Sequence, residues 1–229
     1  MTTIGNNLQR VHERIAAACA HAQRPVTDVT LLAVSKTFGP EAVRAAHECG
    51  QLSFGENYIQ EGVEKIALLE GLGLQWHCIG PVQSNKTRLV AAHFDWIHSV
   101  DRLKIAQRLS QQRPPGLAPL QVCLQVNIDG GPTKAGVVPA EALALAREVE
   151  RLPCLRLRGL MTIPEPTDDV AQQRAVHLRA RLLFDQLNDA GLALDTLSMG
   201  MTADLEAAIG AGSTMVRVGT AIFGDRPPK

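Results

Sequence analysis

Eight short apolar or β-branched runs recur along the 229 residues: VTLLAVS (29–35), QLSFG (51–55), QWHCIG (75–80), FDWIHSV (94–100), LQVCLQVNI (120–128), LRLRGLMTI (155–163), LDTLSMG (194–200) and TMVRVG (214–219). Each is a strand candidate. Between them lie segments of helical period. In GPEAVRAAHECG, Pro40 suits a first helical position and Gly50 a left-handed stop. In ENYIQEGVEKIALLEGLG, Asn57 with Gln60 fits a capping box, and Ile59, Val63 and Ile66 share a face. Behind Pro139, a stripe runs through Ala142, Leu145, Val149 and Leu152; within 168–191 the stripe is Ala171, Ala175, Leu178 and Leu182. A further helix comes first, with Ile4, Leu8, Val11, Ile15, Cys19 and Ala22 three or four apart. Eight strands alternating with helices in a chain of this length predict a closed parallel (β/α)8 barrel with an extra N-terminal helix, an open doubly wound sheet being the competitor. No composition break divides the chain, so one domain over 1–229 is expected, with loops at RPPGLAP (113–119) and IPEPTDD (163–169).

Charge and cysteine content narrow the function. Lys plus Arg and Asp plus Glu are 23 each, so no basic excess exists to drive counterion release from a nucleic acid, and nucleic acid is not expected as the main partner. Five cysteines, Cys19, Cys49, Cys78, Cys123 and Cys154, are scattered with no CxxC pair, which predicts reduced thiols packed in the core and neither a disulfide framework nor a zinc site. MTTIGNNLQR has no apolar signal core, and no apolar run reaches the roughly 18 residues of a membrane span, so a cytoplasmic protein is expected.

In a parallel barrel every strand ends on the same face, where active sites form. Lys36 stands at the first such end, Glu56 and Asn57 follow the second, His77 and Gly80 lie at the third, Ser99 follows the fourth and Asn127 the fifth. Met161 and Thr162 lie at the sixth, Ser198 and Met199 at the seventh, Gly219 and Thr220 after the eighth. A lysine among apolar neighbours loses hydration, its pKa falls, and the free amine becomes a nucleophile for carbonyls. The same placement also suits a lysine that merely snorkels from a loop. Small residues and hydroxyls around Ser198–Gly200 and Arg217–Thr220 predict the phosphate cup common after strands seven and eight, with a helix starting near Thr202; turn chemistry alone would also place glycines and an N-cap there. A phosphate beside an amine-reactive carbonyl fits phosphosugars, as in Schiff-base aldolases, and pyridoxal 5′-phosphate (PLP).

AVSKT (33–37), FGENYIQE (54–61), WHCIGPVQSNK (76–86), RLRGLM (156–161) and SMGMTADLEAAIGAGSTMVRVGTAIFG (198–224) together resemble the PLP homeostasis protein family, the YggS/PROSC-type proteins, whose fold is similar to the barrel domain of bacterial alanine racemase. The resemblance spans nearly the whole chain, in order. It implies that Lys36 carries PLP as a Schiff base, that Ser198, Gly219 and Thr220 hold the phosphate, and that Arg217 faces the pyridine nitrogen. It also implies that Asn57 and His77 line the pocket and that Met199 and Gly200 approach the cofactor through their backbone. Asn57 as a helix cap and His77 as a packed strand histidine are the plainer readings of those two. Many family members carry a second lysine two residues after the first; here that position is Phe38. Lys86 and Lys134 read as solvated loop lysines.

PLP works best as an electron sink when a carboxylate protonates its ring nitrogen, and an arginine, which only donates, leaves the ring neutral. Racemisation needs a base on each face of the substrate carbon, and the racemases resembled here bring one, a tyrosine, from a second domain of a partner chain. The sole tyrosine here is Tyr58. The expectation is therefore a non-catalytic PLP-binding protein of intracellular PLP homeostasis, monomeric, that buffers or delivers the cofactor by transient contact with apoenzymes, without nucleic acid, membrane or metal. A weak amino-acid racemase or related PLP enzyme and a Schiff-base aldolase acting on a phosphosugar are the alternatives.

Overall fold

A computed structural model describes residues 3–131 and 134–225. The eight expected strands are present: β1 (Thr30–Val34), β2 (Ser53–Glu56), β3 (Gln75–Cys78), β4 (Trp96–Val100), β5 (Leu120–Gln125), β6 (Leu155–Met161), β7 (Thr196–Ser198) and β8 (Met215–Val218). They close a barrel in sequence order, every pair parallel, and β8 returns to β1 with Leu32 opposite Arg217 and Ala33 opposite Val218. The helices are α1 (Thr3–His21), α2 (Pro40–His47), α3 (Ile59–Leu68), α4 (Thr87–His93), α5 (Leu103–Gln112), α6 (Pro139–Glu150), α7 (Val170–Asp189), α8 (Leu205–Gly210) and α9 (Thr220–Phe223).

Parity along the strands sorts side chains between the two faces of the wall. Leu31 and Ala33 join the large core between barrel and helices, together with Trp76, Cys78 and Ile97. Leu32, Val34, Ile79 and Met215 form a small cluster in the lumen, and Trp96, Cys123 and Met161 another. In the turn that follows β1, Lys36 lines the lumen-side cavity, while the Ser35 hydroxyl and the Thr37 N–H bond Glu56 and Glu61. The alternation is reset in β6, where pairing jumps from Val122–Leu157 to Cys123–Gly159. Gly159 is required there, because a Cβ would collide with the Thr196 carbonyl.

Several local expectations need correction. α3 starts at Ile59 with Tyr58 as its cap and no side-chain cap bond, so Asn57 and Gln60 form no capping box. On α7 the buried face runs through Val176, His177, Ala180, Leu183, Phe184 and Leu187, while Leu178 and Leu182 are exposed. α8 starts at Leu205 rather than near Thr202, after Asp204 has taken the backbone N–H of Met201 at 2.6 Å. Cys19, Cys78 and Cys123 are buried, but Cys49 is exposed. Lys134 is paired with Asp129 at 2.7 Å and Glu165 at 3.3 Å, and so is not a solvated lysine. Among the described residues no helix is long and apolar enough to cross a membrane.

Candidate functional site

A cavity of ≈ 280 Å³ opens at the C-terminal ends of the strands. Val34 and Lys36 line it from β1, Asn57 from the turn after β2, Ile79 and Ile163 from the ends of β3 and β6, Met201, Thr202 and Ala203 from the turn after β7, and Arg217, Gly219 and Thr220 from β8 and its turn. Among the described residues, Lys36 and Arg217 are the charged ones in this wall, and no carboxylate lines it. An anion with a group that reacts with an amine fits such a wall.

Arg217 is 4% exposed and held from below. Its Nη1 donates to Ser198 Oγ at 2.8 Å and its Nη2 to the Thr162 carbonyl at 2.8 Å, which leaves three of the five N–H donors of a guanidinium. Burial lowers its pKa to about 10, so it stays a cation at neutral pH. The row continues across the lumen. Ser198 Oγ lies 3.0 Å from His98 Nδ1, His98 Nε2 lies 3.0 Å from His77 Nδ1, and His77 Nε2 lies 3.0 Å from Gln75 Oε1. Arginine only donates, so the Ser198 hydroxyl accepts there and donates its own O–H to His98 Nδ1. That choice puts the His98 proton on Nε2, donated to His77, and the His77 proton on Nε2, donated to Gln75. Both rings are then neutral, which is what their burial demands: it lowers His77 to about 3, and it lowers His98 well below the ordinary value with the help of His77 and Arg217. Trp96 stacks on His77, ring centroids 5.1 Å apart.

The β7–α8 turn is fixed from outside the barrel. Asp204 accepts from Met201 N–H and from His177 Nε2 at 2.9 Å, and those bonds outweigh its burial and hold its carboxyl below the usual range. Arg14 of α1 donates to the Thr202 carbonyl at 2.9 Å while paired with Glu206. The additional N-terminal helix therefore positions a cavity wall. Phe38 packs its ring on Phe223 of α9, centroids 5.3 Å apart, and so joins the turn after β1 to the turn after β8.

Of the nine residues expected from sequence, Lys36, Asn57, Arg217, Gly219 and Thr220 come together on the cavity wall. Four do not. His77 is fully buried beneath the cavity in the hydrogen-bonded row. Ser198 is also fully buried, its hydroxyl committed to Arg217 and His98 instead of facing the cup. Met199 packs in the outer core and bonds Met215 and Ser213 through its backbone. The Gly200 carbonyl accepts from Arg217 N–H, and its φ of +91° with Ala208 pressed against it requires glycine for packing. Sequence reasoning did not single out Met201, Ala203 or His98, and it named Thr202 only as the start of a helix. The period-two parity of β4, with Trp96 and His98 on one side, was the signal for His98.

The family model for the alanine racemase N-terminal domain matches residues 6–227. The chain is 59% identical over 226 residues to the pyridoxal phosphate homeostasis protein of Pseudomonas aeruginosa, covering 99% of this chain and 97% of that one. The chain belongs to the pyridoxal phosphate homeostasis protein family. A solved family structure, PipY of Synechococcus elongatus with PLP bound, superposes with a TM-score of 0.84 at 37% identity, covering 96% of this chain and 100% of that one. An alanine racemase of Clostridium difficile shares the fold, with a TM-score of 0.73 at 17% identity over 95% of this chain and 57% of that one. The family barrel is thus about three-fifths of a racemase chain.

Proposed function

We propose that this protein binds pyridoxal 5′-phosphate on Lys36 and acts in PLP homeostasis, holding and handing on the cofactor without turning over a substrate. The observation that carries the reading is the cavity wall, which has an amine at one strand end, an arginine at another and no carboxylate. The residues fit the group on a further count: Asn57 Oδ1 is buried without a hydrogen-bond partner among the described residues, although Asn57 lines the cavity. When bound, PLP supplies an aldehyde for the Lys36 amine and a ring that can accept electrons. Arg217 would offer its remaining donors to the ring nitrogen, and the small residues Thr202, Ala203, Gly219 and Thr220 would admit the phosphate, in the place expected of Ser198. A guanidinium cannot give up a proton to the ring, so the ring stays a weak electron sink. Tyr58 is 53% exposed and outside the cavity wall, so it offers no opposing base. A cytoplasmic monomer that passes PLP to apoenzymes by transient contact is the form in which we expect it to act.

Visible absorption spectra of the wild type and of Lys36→Ala, followed by borohydride reduction and peptide mapping, test this reading. A yellow wild type with a pyridoxyl group fixed on Lys36, and a colourless variant, are expected. A wild type that cannot be loaded with PLP would overturn it and bring the phosphosugar aldolase forward.

A further inference from the structure

Both chain neighbours of Lys36 are gripped from the helix side of the wall. The Ser35 hydroxyl donates to Glu56 Oε1 at 2.6 Å, and the Ser35 carbonyl accepts from Lys65 Nζ at 2.8 Å. The Thr37 backbone N–H donates to Glu61 Oε1 at 2.6 Å. Lys65 Nζ sits between the two carboxylates, 2.7 Å from Glu56 and 2.6 Å from Glu61, and is 4% exposed, with Glu56 at 0%. One ammonium therefore links the groups that hold residues 35 and 37.

Thr37 has φ +70°, a left-handed conformation that a β-branched residue rarely adopts. Its side chain gains nothing there, because Thr37 Oγ1 is buried without a hydrogen-bond partner among the described residues. A conformation of this kind persists only where its surroundings over-determine it. Here two contacts do so: Phe38 N–H donates to the Ser35 carbonyl at 3.1 Å and closes the turn, and the carboxylate of Glu61, itself fixed by the buried lysine, takes the Thr37 N–H. With residues 35 and 37 tied to the helix side, the turn between them carries Lys36, which lines the cavity.

We infer that Glu61 is a positioning residue for Lys36: through Lys65 and Glu56 it locks the turn after β1 in its strained form and thereby aims the amine into the cavity. The inference deepens the PLP reading and rests on it for the identity of the aldehyde. Glu61 is absent from the cavity wall, so its effect on Lys36 is transmitted by the Thr37 amide.

Thr37→Gly separates positioning from general support, because glycine takes the left-handed conformation without strain. Glu61→Ala is made in the wild-type and Thr37→Gly backgrounds, and Glu61→Gln, which keeps an oxygen for the Thr37 amide, stands in if the alanine variant does not fold. Two quantities are read: PLP affinity from the visible band, and, on cofactor-free protein, the rate of reductive methylation of Lys36 by formaldehyde, mapped by mass spectrometry. We expect Glu61→Ala to weaken PLP about tenfold in the wild-type background and about twofold or less beside Thr37→Gly, with Lys36 methylation altered in the same pattern. Equal losses in both backgrounds, or lowered stability with unchanged affinity and methylation, would reduce Glu61 to a structural group and overturn the inference. Should the wild type take up no PLP, the cofactor reading fails by itself, and the methylation pattern still decides the role of Glu61.

Discussion

The barrel wall separates two buried polar regions built on opposite electrostatic plans. In the lumen, Arg217 rests on a hydroxyl and a carbonyl, and behind it stand two neutral imidazoles. Between β2 and α3, Lys65 is met by two carboxylates and a carbonyl at contact distance. Both cations are nearly excluded from water, at 4% exposure each. The difference lies in compensation. Lys65 is neutralised where it stands and has nothing left for a ligand; it is a strut. Arg217 is hydrogen-bonded to neutral groups, with Asp204 attracting it from beyond contact distance, and it still has donors to spare where it lines the cavity. A buried cation saturated by carboxylates is spent on the fold, whereas one in hydrogen-bond contact with neutral groups alone keeps donors for whatever lies beside it.

The sharpest way to break this contrast is to uncompensate the strut. Glu56→Ala removes one carboxylate from Lys65 and the acceptor of the Ser35 hydroxyl while Glu61 remains. Breaking a buried ion pair from one side costs about 3–5 kcal/mol, and the surviving partner points to the lower end, about 3 kcal/mol. Urea unfolding should show this as a lower midpoint at an unchanged slope. A loss below about 1 kcal/mol would mean that water or Glu61 compensates Lys65 fully and that the two regions do not differ as described.

The lumen should respond less. His98→Leu removes the middle of the row and leaves the Ser198 hydroxyl proton and His77 Nδ1 without their partners. Unpaired buried groups of this kind cost about 1–3 kcal/mol. The same unfolding experiment ranks the two variants, and a His98→Leu protein less stable than Glu56→Ala would reverse the comparison.

How much of this could be read from the chain follows from what each feature depends on. The eight strands were legible because parallel strands buried on both faces appear as apolar runs whatever surrounds them. Lys36 was legible for the same reason, as a charge ending such a run. Ser198 was not: its partner His98 is 100 residues away on β4, which does not pair with β7, so their bond exists only across a closed lumen. A hydroxyl in a glycine-bearing turn reads as part of a phosphate cup until that closure is known. On α7 the apolar stripe was phased wrongly because the buried face includes His177, placed there by its bond to Asp204, while Leu178 and Leu182 face solvent. The Glu56–Lys65–Glu61 cluster was hidden because Glu61 and Lys65, four apart on an amphipathic helix, normally mark its wet side, and Glu56 stands apart from them at the end of β2.

Titration gives the finest test of the contrast. His77 has an ordinary pKa of 6.5, which burial lowers to about 3, and His98 is lowered well below the same value. Below the ordinary value the unfolded chain takes up a proton at each ring and the folded barrel does not, so stability falls as pH falls, by about 1.4 kcal/mol per pH unit for each histidine. The loss runs from about pH 6.5 down to about 3 for His77. Glu56 acts in the opposite sense, since burial holds its carboxyl above the usual range and acid relieves that cost, whereas Asp204, held below the usual range, adds to the loss at lower pH. Between about pH 6 and 5 the histidine contribution is cleanest, because ordinary carboxylates are still ionised there. His77→Gln keeps hydrogen-bonding groups in the row and removes the titration, so over that interval its stability should fall less steeply than the wild type by about 1.4 kcal/mol per pH unit. A His77→Gln protein with the wild-type slope would mean that His77 takes up its proton inside the folded barrel, and the lumen would then carry a charge beside Arg217 that its neutral plan forbids.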